Sequence, residues 1–147
     1  MKRLKLLLLA TTIVAIGLTT SCRKKKNEEA PKVDTQAQIE AKSKITGKWF
    51  IKKAVFTYPN TPEPVIYDHY DATQFYQFSS DGNLLISYEE KQGTFTYKFS
   101  EDASTLSIFN PHPNDVYKVK VLTATNLVIE KEHTIDPIMT EEITLSK

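Results

Sequence analysis

From about residue 45 to the C-terminus, apolar and polar positions alternate with a period of two. The stretch 94–99 shows it most plainly: Phe95, Tyr97 and Phe99 alternate with Thr94, Thr96 and Lys98, the pattern of a strand buried on one face. The same reading yields eight strands. The first covers about 47–58, with Trp49 and Ile51 on one face; the second and third cover 73–79 and 84–89. After 94–99 comes 105–109, then 116–122, with Tyr117, Val119 and Val121 inward and Lys118 and Lys120 outward. The last two are 127–132 and 139–145, the latter with Ile143 and Leu145 inward.

Short polar links separate these strands. Ser80-Asp81-Gly82-Asn83 is a tight turn in which Gly82 suits a positive φ. Lys91-Gln92-Gly93 is read as closing the next hairpin, and 101–104, 110–115 and 123–126 keep the same rhythm. Links this short join antiparallel neighbours, because parallel pairs need crossovers of about a dozen residues or more. The prediction is an all-β, eight-stranded antiparallel up-and-down barrel, closed so that no edge is left exposed. One link is different. Residues 59–72 are long and carry Pro59, Pro62 and Pro64, yet also Val65, Ile66, Tyr67 and Tyr70. A connection of this kind is expected to fold back over one end of the barrel.

Upstream of the strands the pattern is of another kind. Lys2, Arg3 and Lys5 precede a mostly apolar run from residue 6 to 18. That run is shorter than the roughly 20 residues a spanning helix needs and suits the apolar region of a signal peptide. Thr19, Thr20 and Ser21 then lead to Cys22, the single cysteine. The organisation read from this is a signal peptide over 1–21, a lipidated cysteine and flexible tether over 22–44, and the barrel over 45–147. Within the tether, residues 36–44 can form a short helical turn. The site resembles the bacterial lipobox, with Thr19 where Leu is usual and Leu18 one step further back. Lipid on Cys22 would explain an exported chain with one odd thiol. It would also make a membrane the chain's first partner, and place it at the outer membrane or elsewhere in the cell envelope, facing the periplasm or the cell surface.

Charge separates the two halves. Residues 22–44 hold seven Lys and Arg against four Asp and Glu, a net of +3; residues 45–147 hold nine against 14, a net of −5. An acidic domain argues against nucleic acid as a partner. Arg23, Lys24, Lys25 and Lys26 suit anionic headgroups beside an anchor, and equally suit a solvated tether without lipid preference.

Gly47-Lys48-Trp49 at the head of the first strand resembles the Gly-x-Trp motif of the lipocalins. One long first loop followed by short connections resembles their layout. The chain is also similar to the small lipocalin-like lipoproteins of Bacteroidota, in the segment Phe78-Ser79-Ser80-Asp81-Gly82 and the strand Gly93-Thr94-Phe95-Thr96-Tyr97. Larger lipocalins carry a C-terminal helix and a disulfide; Lys147 follows directly on the last predicted strand, and neither feature is expected here. In Bacteroidota, acidic residues close behind the lipidated cysteine can signal surface export, and Lys26-Asn27-Glu28-Glu29 is similar to such a signal. The resemblance implies a binding role in the cell envelope.

The chemistry-bearing residues support the same direction. His69, His112 and His133 all fall in predicted connections or at their margins, without the His-x-x-x-His spacing of a helical metal site, and no metal or cofactor is expected. No nucleophile elbow or phosphate-cradling glycine loop is present, so no enzymatic activity is expected. The densest polar-aromatic cluster, Tyr67, Asp68, His69 and Tyr70, lies on the long loop, where it can line a barrel mouth or merely shield it. Trp49, Tyr88, Tyr97 and Tyr117 are the other candidates for contact with a small apolar ligand. The opposing possibility is that Trp49, Phe78, Tyr88, Phe95, Tyr97, Phe99 and Tyr117 fill the interior. The protein would then be a solid barrel that acts through its surface on another envelope protein.

Overall fold

A computed structural model describes residues 33–109 and 115–147. Cys22, the segment 1–21 read as a signal peptide, the part of the tether up to residue 32 and His112 lie outside the described residues. The folded unit runs from Val33 to Lys147. It comprises a helix α1 (Gln36–Ile45) and nine strands: β1 (Gly47–Thr57), β2 (Val65–Tyr67), β3 (Phe75–Phe78), β4 (Asn83–Tyr88), β5 (Lys91–Phe99), β6 (Thr105–Phe109), β7 (Asp115–Leu122), β8 (Asn126–His133) and β9 (Met139–Ser146).

Every strand pairing is antiparallel, and consecutive strands are neighbours from β3 through β9. Closure comes from β1. One edge of it pairs with β9 over Phe50 to Thr57, while the other pairs with β3 over Gly47 to Phe50 and with β2 over Ala54 to Phe56. β2 and β3 therefore occupy a single lane beside β1, interrupted by the excursion 68–74. The nine strands make eight lanes, and the up-and-down eight-stranded barrel expected from periodicity is the observed fold.

The strand β2 was not expected. Its residues belong to the long link, which does not simply fold over the barrel end: Val65, Ile66 and Tyr67 run along β1 and stay 42–55% exposed. The next hairpin turn also falls elsewhere. Tyr88 pairs with Lys91, so the two-residue turn is Glu89-Glu90, with Glu89 at φ 55°, and Lys91-Gln92-Gly93 already belongs to β5. Gly93 serves a close approach instead. A Cβ there would stand 2.7 Å from the ring of Phe95, so the ring packs over bare backbone. Gly82 has the positive φ its turn requires, +90°.

Two bulges reset the faces of strands. In β1 the register shifts between Ile51 and Lys53. Lys52 and Lys53 are both exposed, and Ala54 returns to the interior. In β7 the shift lies between Val119 and Val121. It turns Val121 outward, 41% exposed, and brings Leu122 against the core; the inward placement read for Val121 from simple alternation is thus corrected.

The helix α1 forms where a short helical turn is read over 36–44, but it is docked on the barrel. Thr35 caps it: its hydroxyl accepts from the Gln38 backbone N–H at 3.2 Å, and the Gln38 side chain accepts from the Thr35 N–H at 2.9 Å. Gln38, Ala41 and Ile45 form its buried face. The Gln38 amide also donates to the Phe99 carbonyl at 2.8 Å, and the Thr35 hydroxyl donates to the Glu101 carbonyl at 2.6 Å. The folded unit thus begins at Val33, and α1 closes the barrel end where β1 starts. Directly inside it sits Trp49, wholly buried, whose indole N–H donates to the Ile45 carbonyl. Lys147 completes the closure. Its ammonium donates to the carbonyls of Lys44 and Thr46 at 2.9 and 2.8 Å, near the helix C-terminus, and lies 4.7 Å from the Trp49 ring centre. Phe78, Leu84, Phe99, Leu106, Leu127, Ile129 and Leu145 fill the space around the indole, all less than 3% exposed.

Trp49→Ala should cost about 3–5 kcal/mol of unfolding free energy, the range for deleting a large aromatic from a packed core; urea titration measures it. The turn that receives Thr35 gives a pH-dependent prediction. The Asp102 carboxylate accepts from the Ser100 hydroxyl and from the Ser104 backbone and hydroxyl. These bonds, the Ser100 one foremost, hold its pKa at about 2, below the ordinary 3.8. A carboxyl more acidic in the folded state stabilises above its unfolded pKa and loses that contribution as pH falls towards the folded value. Asp102→Asn should therefore flatten the thermal stability profile between about pH 4 and 2, read by circular dichroism melts.

Candidate functional site

The opposite end of the barrel is built differently. β1 runs from Trp49 at the closed end to Phe56, about 20 Å along a strand. At that far end Phe56, Tyr58, Tyr67, Tyr70, Tyr88 and Met139 line a concavity of ≈ 300 Å³. Each arrives from a different constraint. The bulge in β1 keeps Phe56 on the inner side; pairing with Ala54 puts Tyr67 on that same face; and the Glu89-Glu90 turn ends β4 at Tyr88. Phe56 and Tyr67 meet edge to face at 5.6 Å, as do Tyr70 and Tyr88 at 6.4 Å. The result is an aromatic bowl with hydroxyl tips, open to solvent at the rim.

Beneath the bowl the interior turns polar before it becomes the packed core. By strand alternation Asp115 lies on the face of Tyr117, Lys131 on that of Ile129, and Glu141 on that of Ile143. Lys131 pairs with Asp115, and the His133 imidazole meets the Glu141 carboxylate at 3.0 Å. Glu141 and His133 keep only 18% and 25% of their side-chain surface. Tyr76 and Tyr117 are buried just inside this layer. Burial, with Glu141 and Asp115 adding to it, raises both phenol pKa values far above the ordinary 10. Tyr70 is raised too, by burial first and then by Tyr88, Glu141 and Tyr67. All three hydroxyls keep their protons at physiological pH and remain donors.

Of the residues singled out from the sequence, Tyr67, Tyr70 and Tyr88 converge on the bowl, and Tyr117 lies in the layer beneath it. Asp68 and His69 do not line it. They project from the excursion after β2, with their side chains 60% and 99% exposed and only 3.4 Å apart. Trp49 and Tyr97 belong to the closed-end packing: Tyr97 is buried between Phe78 and Phe99, and its hydroxyl donates to the Ser79 carbonyl at 2.8 Å. Sequence reasoning missed Phe56, Tyr58 and Met139, and the inward-facing pairs of β7, β8 and β9. Alternation carried back from Ile143 gives Glu141 and Met139, whereas Phe56 and Tyr58 come to the inner face only through the bulge in β1, which alternation from Trp49 and Ile51 does not reveal. Among the described residues no three His, Cys, Asp or Glu side chains come together as a metal site, and no helix is long and apolar enough to cross a membrane.

The family model described as a lipocalin-like domain matches residues 45–129. Among solved structures, the chain is similar to a lipocalin-like protein from Bacteroides uniformis, at 18% identity and a TM-score of 0.44, covering 71% of this chain and 98% of that one. It is also similar to a deswapped triple mutant of bovine odorant binding protein, at 16% identity and a TM-score of 0.42, covering 71% and 74%. No curated protein matches the sequence. With more than half of its length matched by the family model, closed as an eight-lane antiparallel barrel with Gly-x-Trp at the head of β1, the chain belongs to the lipocalin-like domain family.

Proposed function

We propose that this protein is a lipid-anchored binding module of the cell envelope that takes a small ligand with a substantial apolar surface at the open end of its barrel. The observation that carries the reading is the aromatic bowl. An apolar concavity with a few placed polar groups at a barrel mouth is the general form of a small-molecule site, and a volume of ≈ 300 Å³ suits a compact molecule. The packed closed end limits how deep that molecule can go, since an eight-stranded barrel is only just wide enough for its own side chains. The anchor rests on the sequence: a basic start, a short apolar run and the lone Cys22. Several acyl chains on one residue, each CH₂ contributing about 0.8 kcal/mol when buried, would hold the protein firmly.

A second reading has its own support. In the link between β8 and β9, Ile135 and Ile138 are 83% and 61% exposed, and Ile138 lines a neighbouring concavity with Pro59, His133 and Met139. Apolar residues in such positions suit contact with another envelope protein. The two readings separate on whether substitutions in the bowl or in this link abolish activity.

Cys22→Ala should move the protein from the membrane to the soluble fraction, and mass spectrometry of the wild type should find an acylated N-terminal cysteine. Membrane retention of the variant, with no adduct on the wild type, would refute the anchor. For the bowl, the uncharged probe N-phenyl-1-naphthylamine should brighten on binding. Its affinity should fall at least tenfold in Tyr70→Ala/Tyr88→Ala and stay unchanged in Ile135→Asp; no enhancement, or enhancement indifferent to the double substitution, would count against the site.

A further inference from the structure

The layer beneath the bowl constrains what the ligand carries. Four charged or chargeable side chains face inward there, and their pairing is unequal. Asp115 is met by the permanent charge of Lys131. Glu141 is met by the His133 imidazole at 3.0 Å and stands opposite Lys131 in the β8–β9 register. Lys118 and Lys120 lie on the exposed side of β7, where Lys120 pairs with Glu130 and Glu142, and Glu142 alternates with Glu141 along β9. Asp115 and Glu141 thus share one permanent cation, Lys131, and Glu141 stands next to the bowl, opposite its lining residue Phe56 in the register of β1 and β9. Met139, two residues before Glu141 on the same face, lines the bowl, and the Glu141 carboxylate acts electrostatically on the Tyr70 hydroxyl.

A set of electron-rich ring faces around a concavity with a carboxylate beneath it is the arrangement that attracts an organic cation. The rings contribute through their quadrupoles and the carboxylate through its charge. A purely apolar molecule gains from the rings but meets Glu141 and His133 without satisfying either. An anion is repelled by Glu141 and faces the negative ring faces as well.

We propose that the mouth selects a small organic cation, an amine or quaternary ammonium group on a compact apolar body, with the cationic head against Tyr67, Tyr70, Tyr88 and the Glu141 carboxylate. This rests on the reading of the bowl as the ligand site, and the test separates the two. Methionine occurs only at positions 1 and 139, so [¹³C-methyl]methionine labelling of the full chain makes the Met139 methyl a reporter inside the bowl. The chain is titrated with phenethyltrimethylammonium, with the uncharged ketone 4-phenylbutan-2-one as a soluble stand-in for its carbon isostere (3,3-dimethylbutyl)benzene, and with 4-phenylbutyrate. The expected result is that the cation shifts the Met139 signal at least tenfold more tightly than either comparison compound. Glu141→Gln should remove most of that preference. Tyr67→Leu and Tyr88→Leu, at exposed rim positions that leave the core intact, should weaken the cation while sparing the ketone. Equal binding of cation and ketone, unaffected by Glu141→Gln, would overturn the cation inference and leave the apolar site standing. No Met139 shift with any of the three would overturn both.

Discussion

The fold depends on the double pairing of β1. This strand is hydrogen-bonded along one edge to β9 and along the other to β2 and β3, so it joins the first and last parts of the sheet and removes both edges. Closure in turn makes an enclosed interior, and a barrel of eight lanes leaves room for little beyond side chains. Every later feature follows from how that narrow interior is divided along its length.

The lower part is filled. Trp49 occupies the axis, and α1 and Lys147 cover it, so that the buried indole N–H finds its partner where water is excluded, while Lys147 takes two carbonyls near the helix end at the solvent edge. Among the described residues no buried side-chain nitrogen or oxygen lacks a hydrogen-bond partner. The upper part is not filled in the same way: the excursion 68–74 leaves the barrel wall and returns, which breaks the β2–β3 lane. Where that lane breaks, Tyr67 and Tyr70 meet Phe56 and Tyr88, and the inward positions of β7, β8 and β9 become polar. The aromatic mouth thus lies where a single lane of an otherwise continuous wall is interrupted, above a base filled by Trp49 and its neighbours.

This division bears on the two functional readings. A filled base argues against a deep hydrophobic calyx, yet it leaves a rigid platform on which the mouth is built. Sites supported by strands hold their geometry better than sites on free loops. Phe56, Tyr88 and Met139 lie on strands, whereas Tyr70 is held by its packing against the core and the ring of Tyr88. The exposed pair Asp68 and His69 lacks such support, and this is why only the tyrosines of that cluster reach the mouth.

By itself the sequence determined the strands, their antiparallel succession and the number of lanes. Each of these follows from a local period of two broken by turn residues, and a pattern of that kind is complete within a few neighbouring positions. Tertiary structure decided the rest. The helix α1 buries only Gln38, Ala41 and Ile45, a face too polar and too narrow to stand out; it docks because the Phe99 carbonyl and the open barrel end lie waiting for it. The bulges that expose Lys53 and Val121 arise from register with β9 and β8, which alternation within one strand cannot reveal. Which tyrosines meet was decided last. Tyr67, Tyr70 and Tyr88 come together while Tyr97 is buried at the other end, because the tilt and closure of the sheet, rather than distance along the chain, set the height of each side chain in the barrel.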